Sequence, residues 1–115
     1  MLRGEIRLVN LDPVKHGEAA KTRPAVVVSN DVLNATTMSL QRGVVTVVPL
    51  TSNVEKVYPF QVKIHRGESG LRVDSKAQAE QIRAVAVSRI GKQVGRLSSE
   101  LQEELDIALR LHLNL

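Results

Sequence analysis

The sequence contains no cysteine. That absence excludes disulfides, zinc–thiolate sites, iron–sulfur clusters and thiol nucleophiles together. Tryptophan is missing too, and the only aromatic rings are Tyr58 and Phe60. A single-strand reader built on several exposed rings is therefore disfavoured. Lying two apart in an alternating stretch, Tyr58 and Phe60 are expected to share a strand face and fill core. No apolar run approaches the roughly 18 residues of a membrane span, and the charged opening Met1-Leu2-Arg3-Gly4-Glu5-Ile6-Arg7 does not read as a signal peptide. A cytoplasmic protein with no membrane partner is expected. Phosphate-cradling and dinucleotide-binding glycine loops are absent, as is a serine-hydrolase elbow. The histidines, His16, His65 and His112, stand apart from each other and from any carboxylate pair. Neither a metal site nor a cofactor is expected.

What is present is one domain's worth of chain, 115 residues, enough to bury a core without a staple. A single domain over 1–115 follows. The net charge is +4, unevenly spread: residues 98–115 carry a local −3 and the remainder +7. A basic body with an acidic final segment suits a polyanionic or acidic-peptide partner, although a basic surface can also serve solubility alone.

Glu5 to Leu11 alternates as a half-buried strand does, and Asp12-Pro13 ends it. Residues 14–23 are a polar loop. Pro24 disfavours helix at Arg23 and starts a second strand, Ala25 to Ser29, after which Asn30 and Asp31 can cap a short helical turn. Gly43 to Leu50 is a β-branched strand, apolar in its middle and so buried on both faces. Thr51-Ser52-Asn53 leaves it. Val57 to Ile64 alternates again, with Pro59 marking an edge or a strand start. Residues 67–70 (Gly-Glu-Ser-Gly) form a turn; the glycine spacing matches the loop of one RNA-binding module, but its flanking helices are missing. Leu71 to Val87 supplies at least one more strand, and strand is preferred over helix for residues 78–83. The last segment is helical: Ser99 with Gln102 forms a capping box, and Leu101, Leu105, Ala108 and Leu109 make an apolar stripe. Many short strands and a terminal helix imply a mainly β (α+β) fold, a strongly curved sheet or small barrel with helical additions.

Three ordered stretches carry a resemblance. They are Arg3-Gly4-Glu5-Ile6 through Asp12-Pro13; Gly17-Glu18 through Thr22-Arg23-Pro24-Ala25-Val26-Val27-Val28-Ser29; and Val47-Val48-Pro49-Leu50-Thr51-Ser52 followed by Tyr58-Pro59-Phe60. Ala79-Glu80-Gln81-Ile82-Arg83 is a weaker fourth. Together they resemble the MazF/PemK/Kid family of toxins. The resemblance implies an SH3-like or CcdB-like β-barrel, a homodimer, and metal-independent, sequence-selective cleavage of single-stranded RNA. It also implies neutralisation by a cognate antitoxin whose acidic tail covers the RNA site.

The chemistry is legible beside the resemblance. RNA carries its own nucleophile, the 2′-OH, so the protein must stabilise charge on the phosphorane and manage two proton transfers. A guanidinium matches phosphate oxygens with two parallel hydrogen bonds better than an ammonium does. Arg23 matches the family's catalytic arginine, and Thr51 its phosphate-donating threonine. Taken without the family, they read as a surface cation and a β-branched strand residue. An arginine is a poor proton acceptor, so the base is sought elsewhere. Glu18 is the first candidate and His16 the second, although family histidines sit one residue later, where this chain has Gly17. His16, Lys21 (in place of a common glycine) and Thr22 are the expected RNA contacts, with Ser52 and Gln81. A second reading on the same fold is a non-enzymatic CcdB-like poison of a protein such as DNA gyrase; a third is a plain RNA- or peptide-binding barrel. A pairing of Arg23 with Thr51 has no purpose in either.

Overall fold

The computed structural model describes residues 1–11 and 22–115. Seven strands and two helices follow one another: β1 (Glu5–Asn10), β2 (Thr22–Val27), α1 (Asp31–Leu40), β3 (Val44–Thr51), β4 (Gln61–Ile64), β5 (Ser75–Gln78), β6 (Arg83–Ala86), β7 (Ile90–Arg96) and α2 (Ser99–Leu113). All described strand pairs are antiparallel, in the order β4-β5-β3-β2-β1-β7, with β6 also on β3.

β3 is the hub. One edge takes β2; the other takes β6 along Val44–Val47 and β5 at Leu50 and Thr51. Its continuous apolar middle is what this position demands, because both faces are covered. Val48 and Leu50 join the core beneath α2, with Ile6, Val26, Ile64, Leu101 and Leu105. Val45 and Val47 point the other way, into a second cluster with Val9, Leu11, Ala25 and Val85. Burying each such side chain is worth about 1.5–3 kcal/mol. The helical stripe of α2 is confirmed in full: Leu101, Leu105, Ala108 and Leu109 are its buried residues.

Several expectations are corrected. The cap of α2 is Ser98, not Ser99; its hydroxyl accepts the Leu101 N–H at 3.2 Å, while Gln102 donates to Asp106 at 3.1 Å. The short turn after Asn30 is a ten-residue helix, α1, capped by the Asn30 side chain. Strand β2 begins at Thr22, so Pro24 lies within it, opposite Leu8. Only Gln61–Ile64 of the Val57–Ile64 stretch is strand. Residues Ala79–Gln81 form a 3-10 turn between β5 and β6. Finally, Tyr58 and Phe60 are not core: the Tyr58 residue is 41 % exposed, and the two rings stack on each other outside both clusters.

β1 carries an ion pair between buried Glu5 and half-buried Arg7, and the arginine also reaches β7. Arg7 donates to the Glu5 carboxylate from Nε (3.0 Å) and Nη2 (2.8 Å), and its Nη1 reaches the Gly91 carbonyl. Burial pushes the Glu5 carboxyl up, but hydrogen bonds from Arg7 and from the Leu2 N–H, with the Arg7 charge, outweigh it and hold it below 4.5. A carboxyl depressed on folding stabilises above its unfolded value, and that stabilisation fades as pH falls through the folded one. Arg7→Ala, which strands a buried carboxylate, should cost about 1–3 kcal/mol at neutral pH. Thermal melts should show the gap to wild type narrowing once the pH is well below 4.5. A gap independent of pH would exclude this pair as a source of stability.

Among the described residues, no helix is long and apolar enough to cross a membrane.

Candidate active site

The pairing of β2 with β3 places Ala25 opposite Pro49 and Val26 opposite Val48. Arg23 and Thr51 lie just past the end of that ladder, one on each strand. Both are half-buried at the end of the sheet, and both line an open cleft of about 440 Å³ with Pro24, Leu50, Ser52, Val73 and Ser75. Pro24 fixes its own φ, and Arg23 is held in the ladder opposite Val9, so the base of the arginine is rigid while its tip faces the cleft.

Two details fit these side chains for an anion. The Arg23 guanidinium makes no hydrogen bond or ion pair with any described residue. None of its five N–H donors is taken up by a described residue. The Thr51 oxygen accepts the Asn53 N–H at 3.2 Å, which orients the hydroxyl and leaves its proton to donate.

The cleft widens on both sides. Ser52 and Val73 also border a hollow with Arg66, Arg72 and Asp74. Pro24, Val73 and Ser75 border a third with Leu8, Arg72, Lys92 and Gln93. Among the described residues, four cations, Arg23, Arg66, Arg72 and Lys92, line these adjoining hollows, against the one carboxylate of Asp74. The Asp74 carboxyl is held below its ordinary value first by the Arg66 N–H donating to it at 2.6 Å, then by the charges of Lys63, His65 and Arg66. It is ionised at neutral pH, and it anchors the Arg66 backbone at the groove's edge.

The residues singled out from the sequence fall into three groups. Arg23, Thr51 and Ser52 come together in the cleft. Thr22 is exposed at the start of β2, opposite Asn10, and Gln81 is exposed on the 3-10 turn, away from the cleft lining. His16, Glu18 and Lys21 lie outside the described residues. Arg66, Arg72, Asp74, Ser75 and Lys92 were not expected. Their one sequence signal was the charge flanking the turn at residues 67–70, which pointed nowhere without the sheet order. Among the described residues no group of three or more side chains could hold a metal ion.

An antiparallel sheet with a terminal helix, and an arginine and a threonine in one basic cleft, define a small, mainly β domain with a site suited to an anion. The chain belongs to the PemK-like, MazF-like toxins of type II toxin–antitoxin systems, whose family model matches residues 2–113. It is 57% identical to the endoribonuclease MazF9 of Mycobacterium tuberculosis over 115 residues, which is 100% of this chain and 98% of that one. Among solved structures, the MazE–MazF complex (form II) of Deinococcus radiodurans has a TM-score of 0.80 at 25% identity, covering 100% of this chain and 96% of the other. The toxin MazF-mt6 of M. tuberculosis has a TM-score of 0.79 at 22% identity, covering 96% and 97% respectively, and so shares the fold.

Proposed function

We propose that this chain is an endoribonuclease toxin that cuts single-stranded RNA without a metal ion. The observation that carries the reading is that Arg23 and Thr51 line one cleft, which opens along a cationic groove. The groove attracts the RNA backbone. The scissile phosphate sits between Arg23, which presents two parallel N–H donors, and the Thr51 hydroxyl. The ribose 2′-oxygen attacks phosphorus in line as the bond to the 5′-oxygen breaks. Its proton passes to a base, and the departing 5′-oxygen takes up a proton. The products are a 2′,3′-cyclic phosphate and a 5′-hydroxyl. The Thr51 hydroxyl is oriented before substrate arrives, and a preorganised donor of this kind typically lowers the barrier by about 3–4 kcal/mol. Glu18 is the sequence's choice for the base, with His16 the alternative.

The same groove suits the acidic segment of a cognate antitoxin, which then competes with RNA. The protein acts as a homodimer in the cytoplasm. A full-length relative at 57% identity that is an endoribonuclease speaks against the alternative, a CcdB-like poison of a protein target.

Incubation with a long single-stranded RNA in excess EDTA tests this. Cuts at a short recurring motif, ending in 2′,3′-cyclic phosphate and 5′-OH, are expected. Cleavage that requires a divalent ion would refute the metal-free mechanism, and no cleavage by folded, antitoxin-free protein would refute the enzyme.

A further inference from the structure

From the hollow where the β4–β5 turn meets β7, we infer that this chain holds a second phosphate-binding subsite, in which Arg72 and Lys92 together clasp one RNA phosphate other than the scissile one. The inference rests on the endoribonuclease reading and deepens it: the cleavage chemistry needs one phosphate held, and this hollow holds another.

The hollow, of about 530 Å³, is built by two elements distant in sequence. Arg72 comes from the turn between β4 and β5, and Lys92 from β7. Two glycines let these elements touch. Gly70 has a φ of +85°, and a Cβ there would lie 2.7 Å from the Val94 carbonyl; at Gly95 the Ser69 carbonyl fills the place of a Cβ. The Arg96 N–H then ties the turn to β7, donating to the Ser69 carbonyl at 3.0 Å. On its other side the turn is pinned by the Arg66 N–H on the Asp74 carboxylate. Arg72 is thus carried on a turn fixed at both ends, over the same hollow as Lys92.

The charges make this arrangement unfavourable without a ligand. Both side chains are exposed, and neither has a hydrogen bond or ion pair with a described residue. Among the described residues no carboxylate lines the hollow. Like charges brought to one place repel, and an anion between them reverses the sign. Two phosphate oxygens match the guanidinium fork, and the ammonium adds a point charge.

Position and chemistry choose RNA as the occupant. The hollow shares Pro24, Val73 and Ser75 with the cleft of Arg23 and Thr51, so a strand lying in the cleft passes directly into it. Apolar side chains line it as well: Leu8 pairs with Pro24 across β1 and β2, and the exposed Val73 borders both spaces. They suit the face of a ribose lying between two phosphates. Gln93 donates its amide N–H to the Gly95 carbonyl at 3.2 Å, which leaves the amide oxygen to accept. A ribose 2′-OH can donate to it, whereas an ionised acidic side chain has no proton to give. The contacts are to phosphate and sugar, so the subsite adds affinity and register without sequence preference.

The test uses an RNA with one cut, placed by end mapping, and a single uncharged methylphosphonate installed in turn at each linkage flanking it. With wild-type protein, one linkage apart from the scissile one is expected to lower kcat/KM on the order of tenfold. In the Arg72→Ala, Lys92→Ala double variant the same methylphosphonate should cost nothing further, while those at other linkages keep their effects. On unmodified RNA the variant's kcat/KM should fall on the order of tenfold, and its log–log dependence on salt should be shallower by about 0.7. An Arg72→Gln, Lys92→Gln pair, which keeps the side-chain stems, repeats the measurement if the alanines lower the melting temperature. Wild-type kcat/KM and salt slope in a folded variant, or a methylphosphonate pattern identical to that of wild type, would overturn the subsite. Unchanged cutting with lost inhibition by a glutamate-rich peptide would overturn it in favour of a protein partner. No cutting by wild type sinks the enzymatic reading and the subsite with it; a cutting enzyme indifferent to Arg72 and Lys92 sinks the subsite alone.

Discussion

Arg23→Ala is expected to lower kcat on the order of 10³-fold while leaving the fold in place. The first half of that expectation comes from charge. The phosphorane gains negative charge as the 2′-oxygen attacks, and Arg23 is the cation that shares its cleft with the Thr51 hydroxyl. Arg66, Arg72 and Lys92 line the neighbouring hollows and not the cleft itself. The second half comes from what the side chain does not do. Since the guanidinium bonds no described residue, truncating it leaves no described partner stranded, and stability should change by no more than about 0.5 kcal/mol. Arg23→Lys separates charge from geometry: it keeps the cation and loses the two-pronged donor, and should recover only part of the rate. Single-turnover cleavage with a thermal melt on each variant decides the matter. A fast Arg23→Ala enzyme, or a slow one that has also unfolded, would remove the arginine from the chemistry.

How much was legible beforehand depended on whether a residue's pattern or its neighbours fixed its place. β3 could be read because a β-branched run between Gly43 and Thr51 has only one comfortable home, a strand covered on both faces. The stripe of α2 was equally plain. By contrast, α1 hid because its sheet-facing residues are polar: Asn34 and Thr37 are buried there, satisfied by bonds to Ser29, Leu33 and neighbouring carbonyls, while Val32 and Leu40 face outward. β7 hid for another reason. It carries Gly91 and Gly95, has irregular register against β1, and shows almost no apolar alternation. Gly95 is there because the Ser69 carbonyl occupies the space a Cβ would need, a contact no sequence window reveals. The site divides the same way. Arg23 and Thr51 could be paired through the family motifs, but the groove's other cations come from the turn after β4 and from β7, and only the sheet order brings them to Pro24 and Val73. The aromatic pair was misplaced because period-two alternation was extended through Pro59, whose missing N–H lets the chain turn before β4 begins.

Thr51 gives the other large expected effect, and here substitution can separate donor from scaffold. Thr51→Val keeps the branched shape on β3 and removes only the hydroxyl; kcat should fall about 10²–10³-fold. Thr51→Ser keeps the hydroxyl and loses a methyl, and should remain within roughly tenfold of wild type, since a half-buried strand position tolerates that loss. The hydroxyl oxygen also accepts the Asn53 N–H, so Thr51→Val loosens the first turn of the segment leading to Tyr58 as well. The two consequences read out in different constants. A lost phosphate donor acts in the transition state and lowers kcat with KM nearly unchanged. A displaced segment weakens RNA binding at every stage and raises KM. If Thr51→Val raises KM alone, the threonine is a support for the RNA-binding surface, and Arg23 must find its partner donor elsewhere in the cleft, with Ser52 the nearest hydroxyl in sequence to take that place. If kcat falls with KM held, the two strand-end residues act as one phosphate clamp, and the Arg23→Ala, Thr51→Val double variant should lose less than the product of the single losses.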